Sequence, residues 1–170
     1  MVFAMRKVAA SSLCCLTLML LSCAKEVGPQ PGILGVRLGM SRDEARRVLG
    51  PKGQLEKQER KQQEIWALAS DASYSHLIVG YNKEYTAVRF VTAVASDQGR
   101  RVPYSEVLDV QKAKLSETAN SHTYILEVPQ KEGQPGYLIR AIGGDPRYLK
   151  YYSIEGTDRG AQEETDEDTE

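Results

Sequence analysis

The chain offers almost no sulfur or imidazole chemistry. Its 170 residues include three cysteines, two histidines, one tryptophan and two phenylalanines. Cys14 and Cys15 fall within a short apolar run near the N-terminus, Cys23 directly follows it, and no thiol occurs beyond. The body of the protein therefore has no disulfide, no thiolate nucleophile and no Cys-ligated metal, and its stability must come from a hydrophobic core. His76 and His122 have no acid within two residues, so neither shows metal-ligand spacing. No Gly-x-Ser-x-Gly elbow occurs. Ser75–His76 and Ser121–His122 are neighbours that a regular strand points to opposite faces, which makes them poor hydrogen-bonded pairs. The Gly-Gly-Asp-Pro run at 143–146 has no helical pattern after it and reads as a turn rather than a phosphate loop. Paired carboxylates stay open, because their separation is tertiary information. The residues thus assign no catalytic, cofactor or metal site, and a non-enzymatic protein is expected.

The net charge of −1 conceals an asymmetry. Residues 155–170 hold eight acids against Arg159 alone, while residues 24–154 carry 19 Lys/Arg and 15 Asp/Glu. A domain this mildly basic lacks a nucleic-acid footprint. The acidic run has no aliphatic or aromatic residue beyond Ala161 and reads as a disordered, solvated tail.

What the N-terminus does have is an address. Residues 1–7 carry Arg6 and Lys7 and no acid, and residues 8–21 are apolar apart from small hydroxyl residues. That run is short of the roughly 20 residues a spanning helix needs. It ends in Leu20-Leu21-Ser22-Cys23-Ala24, which resembles the lipobox of bacterial lipoproteins, with Cys23 as the lipid attachment site and residues 1–22 as the signal peptide. Ala24 after the cysteine resembles an outer-membrane sorting context. The expected location is the outer membrane, periplasmic side, with the inner membrane or the cell surface as alternatives. Residues 23–32 hold two prolines and two glycines and read as a tether to the domain.

The clearest local signal follows. Ser41 with Glu44 forms a capping box, Ala45, Val48 and Leu49 make an apolar stripe, and Gly50-Pro51 stops the helix, leaving Arg42, Asp43, Arg46 and Arg47 to face outward. Residues 52–64 are polar and read as a loop or an exposed strand edge. Strands are expected at 65–69, 75–81 and 85–95, a second helix at 103–115 with Pro103 at its first position, then strands at 123–128, 137–142 and 147–154. The expected fold is therefore α+β: two helix–three-strand units, at about 33–97 and 98–154, share one antiparallel sheet with helices on one face.

The Leu-Gly-Met-Ser-x-x-Glu helix at 38–51, followed by Trp66, Leu-Ile-Val-Gly-Tyr at 77–81 and Ala-Val-Arg-Phe-Val at 87–91, resembles the SmpA/OmlA-like lipoproteins. The lipoprotein of the β-barrel assembly machinery belongs there, and the β-lactamase inhibitor protein has a related fold in tandem. The resemblance covers residues 33–95. It implies a layered α+β fold, an outer-membrane tether and contact with other proteins, but it carries over no site residue.

Nine tyrosines are the chain's main binding resource. Tyr148 and Tyr152 are expected on one strand face and, with Trp66, are the candidate interface residues. The expected function is a lipid-anchored envelope protein that binds another envelope protein or supports outer-membrane assembly. A ligand- or peptidoglycan-binding module, or a protein inhibitor of an enzyme, are the alternatives.

Overall fold

The computed structural model describes residues 31–157, apart from 60, 61, 70, 132 and 133. Cys23, the rest of the proposed signal and tether up to residue 30, and the acidic tail from 158 lie outside the described residues.

Chain entry is a miniature hairpin, β1 (Gly32–Ile33) and β2 (Val36–Arg37). Its two-residue turn places Leu34 and Gly35 at φ 51° and 92°, the left-handed pair that matches the twist of two antiparallel strands. Helix α1 (Arg42–Leu49) follows, with the capping box the sequence specifies. The Glu44 carboxylate accepts from the Ser41 backbone N–H at 2.9 Å, and Ser41 Oγ accepts from the Glu44 N–H at 3.4 Å. Ala45 and Leu49 are buried beneath it.

Next come β3 (Gly53–Glu59), β4 (Gln63–Leu68), β5 (Tyr74–Tyr81) and β6 (Val88–Ala95) as one antiparallel meander. A single helical turn, α2 (Tyr104–Val107), leads into a second meander: β7 (Lys114–Thr118), β8 (Ser121–Val128), β9 (Tyr137–Gly143) and β10 (Tyr151–Gly156). The two meanders meet at β6 and β10, giving one eight-stranded sheet of order β3-β4-β5-β6-β10-β9-β8-β7. The chain before each helical segment is stitched to the approach of a central strand. Gly39 N–H donates to Val88 O at 2.8 Å, and Leu149 N–H donates to Val102 O at 3.0 Å.

The α+β expectation of two helix–three-strand units is corrected. The described chain is mostly β, 53% strand against 10% helix, and its strands form one eight-stranded antiparallel sheet plus the two-stranded β1–β2 sheet. The cause lies in residues 103–115. Tyr104, Val107 and Leu108 supply apolar spacing for one turn only, and Leu108 at φ −152° has already left the helix. Asp109 then turns the chain, its carboxylate accepting from Gln111 N–H at 3.1 Å. Residues 114–118, all exposed, find their hydrogen bonds on β8 instead. Pro103 is the extended residue before the helical turn rather than its first member. At the other edge the polar stretch 53–59 is also a strand. The last strand starts later than expected and includes Glu155 and Gly156.

Pairing register defines the two faces of the sheet. One row runs Leu55, Trp66, Leu77, Ala93, Tyr152, Ala141, Tyr124, Leu115 across all eight strands, and Val79, Val91, Ile154 and Ile139 share its face. This face is covered. Ile33, Val36, Ala45 and Leu49 from β1, β2 and α1, with Val102, Tyr104 and Leu108 around α2, join it in one buried cluster.

Candidate functional site

The opposite face of the sheet has no described element packed on it. One of its rows is Ala67, His76, Val94, Tyr151, Ile142, Thr123 and Ser116. The next is Ile65, Ile78, Thr92, Ser153, Arg140, Ile125 and Lys114. A third includes Gly80, Phe90, Glu155, Leu138 and Glu127. Eight large apolar side chains therefore share this face: Ile65, Ile78, Phe90, Val94, Ile125, Leu138, Ile142 and Tyr151. All stay half-exposed, and Tyr151 retains 37% of its surface. The Phe90 ring lies flat over Gly80, where a Cβ would come within 2.0 Å of it, so glycine is what seats the ring. Thr92, Ser153 and Thr123 keep the middle small and polar.

The candidate interface residues fall elsewhere. Trp66 and Tyr152 lie in the same row of the covered face, with 6% and 8% exposure, and are core residues. Tyr152 stacks against Tyr74 with ring centres 5.9 Å apart, and burial foremost pushes its hydroxyl pKa up. Tyr148 precedes β10, with the guanidiniums of Arg101 and Arg147 at 4.2 and 5.4 Å from its ring centre. Both arginines also pair with Asp145. The three residues do not form one exposed face. It is Tyr151, the neighbour of Tyr152, that faces out.

Beneath α1 lies a buried charge. Glu64 of β4 is fully buried on the covered face, two residues from Trp66. Its Oε1 accepts from Arg42 Nε at 2.9 Å, Arg46 Nε at 2.9 Å and Arg46 Nη2 at 2.6 Å. Tyr85 adds a hydroxyl at 3.3 Å, while Oε2 accepts from Tyr81 at 3.0 Å and the Trp66 indole at 3.3 Å. Burial alone would raise the Glu64 pKa, but hydrogen bonds from Arg46, Arg42 and Tyr81 outweigh it and hold the carboxyl below its ordinary value. Arg42 also stacks over Tyr85, 3.8 Å from the ring centre. Arg42 and Arg46 thus turn inward rather than outward. Both arginines, both tyrosines and the indole donate to one carboxylate, so the cluster clamps helix to sheet. The sequence signal for it was an acid in strand phase with a tryptophan, opposite arginines four apart on a helix.

The histidines gain partners that spacing along the chain does not show. His76 Nδ1 lies 3.0 Å from Ser75 Oγ, because a bulge between Tyr74 and His76 breaks the alternation that would separate them. Its Nε2 lies 3.3 Å from Glu56 across the open face. His122 Nδ1 lies 2.9 Å from Glu117 on the neighbouring strand. Among the described residues no three His, Cys, Asp or Glu side chains converge as a metal would require.

No family model, curated protein or solved structure matches the chain. A hollow of about 190 Å³ lined by Pro31, Val128, Pro129, Pro135 and Tyr137 lies beside the β8–β9 connection. It is smaller than the roughly 300–1,000 Å³ usual for ligand sites. The open sheet face is the larger feature.

Proposed function

We propose that this chain is a non-enzymatic bacterial envelope protein, held by lipid on Cys23 at the outer membrane, that binds another envelope protein through the open face of its sheet. The observation that supports this reading most is the uncovered face itself. Eight strands about 4.8 Å apart, each giving about five residues at ~3.3 Å, span roughly 650 Å². That approaches the ~800 Å² per partner of a standard protein interface. Large apolar side chains around a small hydroxyl middle, with one arginine among them and acids toward the rim, are a composition such interfaces favour. Among the described residues no helix is long and apolar enough to cross a membrane, so attachment in this reading depends on Cys23. The SmpA/OmlA-like kinship remains part of the proposal, and support for assembly is one role the partner would define.

Crosslinking in intact membranes followed by purification tests it. The wild-type chain should retain one defined partner. Thr92→Arg, in the middle of the open face, should lower its yield at least tenfold, with the melting temperature nearly unchanged because no packed neighbour is displaced. Arg47→Glu on the helix side should leave the yield intact. Cys23→Ser should release the chain from the membrane fraction. Equal yields from the Thr92 and Arg47 variants would contradict the assignment of the face.

A further inference from the structure

We propose that the protein partner seated on the open face delivers a carboxylate to Arg140. The inference rests on the reading of that face as an interface and specifies what must arrive there. Arg140 is exposed near the middle of β9, cross-strand from Ser153 and Ile125, with Leu138 and Ile142 beside it on its own strand. Its guanidinium has no hydrogen-bond or ion-pair partner among the described residues. The acids nearest in register, Glu155 and Glu127, flank Leu138 one step further along the strands. Glu155 is turned to Arg89 at 3.8 Å, and neither bonds Arg140. An occupant that covers Ile125, Leu138 and Ile142 must strip water from this guanidinium, and a desolvated charge is tolerated only when paired. A carboxylate fits the planar fork with two parallel hydrogen bonds.

The same residue disfavours two symmetric ways of seating a second copy on this face. A twofold axis along the strands between β6 and β10 would lay β9 on β5 and set Arg140 against Ile78. A twofold axis across the strands through its row would set Arg140 against its twin. Either arrangement buries the charge unpaired. A membrane surface is disfavoured as well, since anionic headgroups are gripped by clusters of about 4–8 basic side chains, and the row of Arg140 carries only Lys57 and Lys114 besides, on the two edge strands. What fits is a different protein with an Asp or Glu set among apolar side chains.

The test uses the full-length chain in its own cells, with a benzophenone amino acid in place of Ser153 and, separately, of Thr92. The expected adduct is with another protein, crosslinked within a few residues of an Asp or Glu. Arg140→Glu should cut the yield at least tenfold and Arg140→Lys less. Changing that partner acid to Lys should restore the adduct to the Arg140→Glu chain. Unchanged melting temperatures of the Arg140 variants would show that the fold is intact. A protein adduct indifferent to Arg140→Glu overturns the carboxylate while leaving the interface, as does an adduct of two copies or with lipid alone. No adduct from either position overturns the interface reading, and the proposal with it.

Discussion

Replacing Glu64 by glutamine is expected to destabilise the domain by about 3–5 kcal/mol, because it strips a buried ion cluster of its only anion. Arg42 and Arg46 would keep their positions against β4 with nothing to neutralise them, and an amide would offer only one acceptor oxygen to the five donating groups. The effect carries a pH signature. Glu64's pKa is lowered in the fold, so its contribution is complete above the unfolded value near pH 4.3–4.5 and is lost as pH falls through the lower folded value. Urea unfolding between pH 3 and 7 should therefore show the wild-type advantage over Glu64→Gln shrinking at the acid end. A loss below about 1 kcal/mol, constant across that range, would mean that the cluster does not clamp α1 to the sheet.

Trp66→Ala is expected to cost about 3–5 kcal/mol, the range for emptying a large aromatic site in a packed core. Trp66 sits in register between Leu55 and Leu77 on the covered face, and its indole N–H is one of the donors to Glu64. Tyr151→Ala, on the open face, should change stability by roughly 0.5 kcal/mol or less. The contrast separates core from surface among the aromatics. A Trp66→Ala protein of normal stability that had lost its partner would return Trp66 to the interface.

Much of the local structure was legible because it is decided locally. Ser41, Glu44, Ala45 and Leu49 specify α1 within one stretch of chain, and the structure keeps the cap, the stripe and the end. Strands rich in branched residues, such as β5 and β6, declare themselves by composition and lie close to their expected spans. The edge strands are different. Residues 53–59, whose polar composition leaves loop and exposed strand edge both open, and 114–118, whose first two residues fall in the span expected to be helical, are strands because β4 and β8 present free backbone groups beside them.

The site was less legible for a related reason. Alternation says that Tyr151 and Tyr152 point to opposite faces, but not which face the helices cover. In β6 both faces are apolar, Val91 and Ala93 against Phe90 and Val94, so the strand itself cannot decide. The choice is made by α1, β1–β2 and residues 102–108, which all land on one side. Glu64 was obscured because a buried acid looks like a surface acid until its arginines are placed above it. Arg140 reads as an ordinary polar interruption in Tyr-Leu-Ile-Arg-Ala-Ile. Only the eight-strand register sets it beside Ile125, Leu138 and Ile142 on the open face.

Hydroxyl-radical footprinting, comparing the lipidated chain in its native membranes with the purified domain, tests the interface most directly. Phe90, Leu138, Ile142 and Tyr151 should be labelled in the isolated domain and protected several-fold in the membranes, while exposed Leu115 on the edge strand, which lies on the other face, changes little. Equal labelling of the open-face residues in both states would show that nothing covers the sheet in place, and would contradict its assignment as the binding surface.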